Sequence, residues 1–139
     1  MKALKITYWI STGLVSIFMI YAAIAYLTEP AMEKAFGHLG FPSYFRIELA
    51  IGKLVGVALL LNPVCGWLKE WTYAGFVIVF ISAFVAHIAS GDAVMVWMMP
   101  LFFLAIHIVS YASYRGLLRM KENRLHVPPA DIPCTICIL

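Results

Sequence analysis

The run Ile6–Leu27, ITYWISTGLVSIFMIYAAIAYL, holds no charged residue over twenty-two positions. A bilayer core about 30 Å thick needs roughly 20 helical residues to cross it, so this stretch predicts a membrane span. Lys2 and Lys5 precede it and Ala23-Ile24-Ala25 lies inside it, the outline of a cleaved signal. Its apolar length exceeds the roughly 7–15 residues of a signal core, and Thr12 and Ser16 interrupt it at helical spacing, which favours a retained span. Working outward, three more runs of this order follow: Phe45–Asn62, Trp71–Ala89 and Val94–Tyr114.

The composition agrees with this reading. Of 139 residues, 63% are hydrophobic and 12% charged, against about a quarter charged in soluble domains, which excludes a water-soluble globule. The net charge of +3 is unevenly placed and marks no nucleic-acid face. Three cysteines are too few for a disulfide scaffold, and none lies in the apolar runs.

Lysine and arginine placement sets direction, because positive residues near span ends stay cytoplasmic. With both termini cytoplasmic, Lys2, Lys5, Lys69, Arg115, Arg119, Lys121 and Arg124 lie inside and only Lys34 and Arg46 outside. The long external connection, Thr28 to Tyr44, is punctuated by Pro30 and Pro42. Its segment Ala31–Phe36 predicts a short interfacial helix ended by Gly37 and Gly40. The expected fold is therefore all-α: an integral membrane antiparallel four-helix bundle over residues 1–119 with a short external helix. Residues 120–139, with Pro128, Pro129 and Pro133, are expected to form a cytoplasmic tail without a fold of its own.

Helix contacts in lipid depend on small residues and on polar groups that need partners. That rule turns Glu48, Gly52, Lys53 and Gly56 inward on the second span and leaves Ala50 and Ile51 on the lipid face. On the third it turns Gly75, Ser82, Ala86, His87 and Ser90 inward and Phe80 outward. Tyr8, Thr12, Ser16, Met19, Ala23 and Tyr26 are the inward set of the first span, and Phe103, His107, Ser110, Tyr111 and Tyr114 that of the fourth. Pro100 removes a backbone donor from the fourth span and predicts a kink. Trp9, Trp67, Trp71 and Trp97 read as headgroup anchors.

Charged groups in a bilayer cost several kcal/mol, so each needs a partner or a task. Glu48 and Lys53 are candidates for an ion pair or a ligand site, since the Lys53 stem can lean toward the outer surface. His87 falls at about the depth of Glu48, and a carboxylate beside an imidazole can relay a proton. Tyr26, Ser90 and Asp92 end near that level and complete a candidate outer pocket. His107 and Tyr111 are the inner-half candidates, with His107 read mainly as a packing histidine. His38, Glu48 and His87 lack close metal-ligand spacing, so no metal site is expected. Cys134-Thr135-Ile136-Cys137 has a redox-type spacing but sits at the end of the tail, and reads as reduced.

Taken together, Tyr8-Trp9-Ile10-Ser11-Thr12-Gly13, His38-Leu39-Gly40-Phe41-Pro42, Glu48-Leu49 with Gly52-Lys53 and Gly56, Lys69-Glu70 with Tyr73-Ala74-Gly75, and Ser82 through His87 to Asp92 resemble the DoxX-like family of small bacterial membrane proteins. The resemblance implies a four-helix protein of the bacterial cytoplasmic (inner) membrane. It also implies, through the name-giving relatives, quinone-linked redox partnership. The spans lack the cysteine pair of thiol-redox membrane bundles. Whether the chain is an enzyme stays open. Three functions fit: a small membrane subunit that binds a quinone or other lipophile and partners a membrane oxidoreductase, a non-catalytic scaffold, and a transporter of a small solute or protons. No intrinsic cofactor is expected beyond a bound quinone or lipid. The bilayer, an oxidoreductase and a second copy of the chain are the partners the sequence admits, and nucleic acid is not among them.

Overall fold

The computed structural model describes residues 2–125, which form five helices and no strand. These are α1 (Lys2–Thr28), α2 (Pro30–His38), α3 (Ser43–Leu61), α4 (Gly66–Ala89) and α5 (Val94–Leu125). Among them α1, α4 and α5 are long and apolar enough to cross a membrane. The remaining long helix, α3, is 19 residues long but carries Arg46, Glu48 and Lys53, which dilute its apolar run.

Sequence signals explain the boundaries. Pro30 opens α2 at the first helical position, where a missing N–H costs nothing. Both α2 and α4 end in a glycine with left-handed backbone, Gly40 at φ 80° and Gly91 at φ 73°. The paired closing hydrogen bonds are Gly40 N–H to Gly37 C=O with Phe41 N–H to Phe36 C=O, and Gly91 N–H to Ile88 C=O with Asp92 N–H to His87 C=O. Three of the long helices run several residues past the expected spans: α1 begins at Lys2, α4 begins at Gly66, and α5 continues past Tyr114 to Leu125, so residues 120–125 are helix where tail was expected. The pair Cys134/Cys137 lies outside the described residues. Pro100 is accommodated within α5, although it cannot donate to the carbonyl one turn back.

Short turns make α3 and α4, and then α4 and α5, neighbours in space, while α1 packs against both α3 and α5. The four long helices thus enclose a common core of Tyr8, Val15 and Met19 from α1, Val57 and Leu60 from α3, Tyr73, Phe76 and Phe80 from α4, and Tyr114 and Leu117 from α5. Phe18 stacks on Phe103 at 3.6 Å between ring centroids, joining α1 to α5. Buried beside the core are Ser11, Thr12, Ser16, Lys53, Lys69, His107 and Ser110, whereas Ile17, Ile78 and Met95 stand outward. This arrangement, hydroxyls within and aliphatics without, suits a surround of lipid. Trp9, Trp67 and Trp71 also point outward, while Trp97 lies edge-on to Phe84.

The inward faces of α1 and α5 are those expected, but two faces are corrected. On α3 the buried stripe is Ala50, Lys53, Val57 and Leu60, so Ala50 faces the core and Gly52 is exposed. On α4 it is Lys69, Thr72, Tyr73, Phe76 and Phe80, while Gly75 and Ser82 are exposed. Rings, not small residues, fill the centre. Gly56 alone of these glycines meets a neighbour: a methyl there would lie 2.6 Å from the Phe76 ring.

Candidate functional site

A cavity of about 560 Å³ opens among α1, α3, α4 and α5. Phe18 and Met19, Val79 and Phe80, and Met99 and Pro100 supply much of its apolar wall. Its polar groups come from Tyr26, Lys53 and His87. The size falls within the range of about 300–1,000 Å³ typical of small-molecule pockets.

Lys53 is the unusual member. Its position one turn from Ala50 and Val57 carries its stem into the core, and it is 5% exposed. Its Nζ lies over the Tyr26 ring, 3.9 Å from the centroid. Tyr26 is itself held at the end of α1, where Arg46 donates to its backbone carbonyl and Phe36 of α2 meets its ring edge-on at 4.9 Å. Among the described residues no carboxylate pairs with Lys53. The expected Glu48–Lys53 pair is therefore corrected, and Glu48 is exposed. Five residues apart on a helix is about 140° of rotation, which sends one side chain outward when the other points in. A desolvated cation–π contact is worth roughly 2 kcal/mol, whereas an ammonium taken out of water costs several. Tyr26 alone does not offset that cost.

His87 also differs from expectation, because its partner is Asp92 and not Glu48. The chain reversal at Gly91 returns Asp92 over the last turn of α4, and since a carboxylate only accepts, His87 Nδ1–H donates to its Oδ2 at 2.6 Å. The other oxygen accepts from His38 Nε2–H at 3.1 Å, which ties the end of α2 to the α4–α5 turn. The bond from His87, and after it that from His38, holds the Asp92 carboxyl below the usual carboxylate range. A lowered carboxylate pKa favours the folded tie above the unfolded value of about 4, and that contribution is lost as pH falls through the folded value. Ser90 caps α4 through its backbone and does not line the cavity.

The half of the bundle nearer the start of α1 holds a second set of groups. Thr12 and Ser110 share a hydrogen bond of 2.7 Å, and Ser110 shares another of 2.9 Å with the Tyr73 hydroxyl, which links α1, α5 and α4. His107 Nε2–H donates to the Tyr73 carbonyl at 3.2 Å, leaving its buried Nδ1 without a partner among the described residues. Tyr111 donates to Glu70 at 2.7 Å, and Arg115 to the other oxygen of the same carboxylate at 3.0 Å. A smaller cavity of about 240 Å³ lies among Glu70, Tyr73, His107 and Tyr111. Lys69, expected in a cytoplasmic loop, is instead buried, with Nζ donating to the Asn62 carbonyl at 3.4 Å and facing the Tyr8 and Tyr114 rings.

The structure therefore brings Tyr26, Lys53 and His87 together, adds Asp92 through His87, and leaves out Glu48 and Ser90. His107 and Tyr111 share the smaller cavity. Sequence reasoning missed His38 as the partner of Asp92 and Glu70 as the brace of Tyr111. The Ser90-Gly91-Asp92 turn was the available signal for His87, whereas His38 meets Asp92 only through tertiary packing. Among the described residues no three histidine, cysteine or carboxylate side chains are placed to hold a metal ion.

In the comparison with known proteins, the model of the DoxX-like family matches residues 10–110. No curated protein and no solved structure matches the chain.

Proposed function

The chain belongs to the DoxX-like family, and we propose that it is a four-helix protein of the bacterial inner membrane that binds a quinone-like lipophile in the outer cavity and serves a membrane oxidoreductase. The carrying observation is the cavity itself: a mostly apolar wall with a small number of convergent polar groups, Tyr26, Lys53 and His87, is the usual form of a site for a lipophile with a polar head. Lys53 and Tyr26 can donate to a ring carbonyl. The partner would supply the electrons, and this chain would hold the acceptor.

A short-tailed benzoquinone should raise the melting temperature of the wild-type protein in detergent, by linkage of binding to folding. Ala83 lines the same cavity, and Ala83→Trp should fill it and abolish the shift. No shift in the wild type, or an equal shift in both, would refute the assigned pocket.

The reading includes α3 as a fourth crossing, both termini in the cytoplasm and α2 outside, supported by the lysine and arginine asymmetry. Cysteine substituted at exposed Glu33 should react with an impermeant maleimide on intact cells, and cysteine at exposed Arg119 should not, each compared with the parent chain. Reaction at position 119 alone would reverse the orientation.

A further inference from the structure

We infer that the outer cavity takes an anionic amphiphile, whose head pairs with the buried Lys53 ammonium. This rests on the proposed lipophile site and goes beyond it, giving the cavity a second class of occupant beside the quinone-like one. Lys53 is 5% exposed and lines the cavity, with the face of the Tyr26 ring 3.9 Å away. None of the described carboxylates pairs with it: Asp92 is engaged by His87 and His38, Glu70 by Tyr111 and Arg115, and Glu48 is exposed. The ring offsets only part of the cost of burying an ammonium.

Asp92, to which His87 Nδ1–H donates, does not line the space, so that carboxylate does not face Lys53 across the cavity. The cavity thus joins a mostly apolar wall to the Lys53 ammonium, complementary to one negative group on a hydrocarbon tail. A carboxylate can accept from the ammonium in a charge-assisted hydrogen bond while the tail lies along Phe18, Met19 and Met99. A free fatty carboxylate and a phosphate-headed lipid share this chemistry.

The test is equilibrium binding of isotope-labelled dodecanoate, methyl dodecanoate and dodecyl phosphate to the full chain in phosphatidylcholine nanodiscs. Dodecanoate is expected to bind at least about tenfold more tightly than its ester, the difference that one charge-assisted hydrogen bond makes. Lys53→Met should erase that preference, and Lys53→Arg should keep it. Tighter binding of dodecyl phosphate than of dodecanoate supports the anionic head and assigns it to a phosphate source. Saturable binding of acid and ester with equal affinity overturns the inference and leaves the lipophile site standing. Absence of saturable binding by all three probes removes the site and the inference together. Should Lys53→Met not fold, the wild-type ratio of acid to ester decides alone.

Discussion

Gly56→Leu is expected to destabilise the protein more than any other glycine substitution in α3 and α4. A Cβ at this position would lie 2.6 and 2.7 Å from two atoms of the Phe76 ring, and Phe76 is itself buried in the core. The ring cannot swing aside without displacing its neighbours, so overpacking of about 1–3 kcal/mol or more follows. A Cβ at Gly52 meets nothing within 4 Å and the position is exposed, so Gly52→Leu should be tolerated, as should Ile51→Leu on the same outward side. Ala50→Leu should behave like Gly56→Leu, because Ala50 is fully buried. Thermal melting in one detergent ranks the four variants. Equal melting of Gly52→Leu and Gly56→Leu would place the α3 face wrongly.

The second large effect is expected at Ser110, which is fully buried and shared between two helices. Its hydroxyl partners both Thr12 of α1 and Tyr73 of α4. Ser110→Ala adds no atoms but takes that partner from both buried hydroxyls, a loss of about 1–3 kcal/mol for each group left unsatisfied. Adding Thr12→Val should then cost much less than Thr12→Val costs alone, since the Thr12 hydroxyl has already lost Ser110. A double-mutant cycle on denaturation free energies measures this coupling. Additive effects would mean that the hydroxyls do not act as one network.

The two mis-assigned faces explain what could be read in the residues and what could not. On α1 and α5 the polar residues Thr12, Ser16, His107 and Ser110 sit at helical spacing, and a polar group that needs a partner can face only inward. On α3 and α4 the inward bias was assigned to glycines. The centre is instead filled by Tyr73, Phe76 and Phe80, large rings that leave room for one close approach, at Gly56, and need none at Gly52 or Gly75. Periodicity gives the angle of a stripe around a helix but does not say which stripe is buried when apolar residues lie on both sides.

The candidate site was partly visible for a similar reason. Lys53, Tyr26 and His87 could be grouped by depth along their helices, and they do line one cavity. Their partners could not be inferred from depth. Glu48 and Lys53 are close in sequence but far apart around the helix, and the Lys53 ammonium instead finds a ring on α1. His87 and Asp92 lie five apart, beyond helical reach, and meet because Gly91 turns the chain back. The contact from His38 depends on where α2 docks, which no local pattern encodes.

That the outer cavity holds a lipophile is tested most directly by an organic extract of the protein, purified in mild detergent from the membranes in which it is made. The extract is analysed by mass spectrometry beside that of Ala83→Trp. Near-stoichiometric recovery of one lipophile from the wild type, lost in the variant while the protein remains folded, is the expected result. Recovery of the same amount from both proteins, or of none from the wild type, would contradict it.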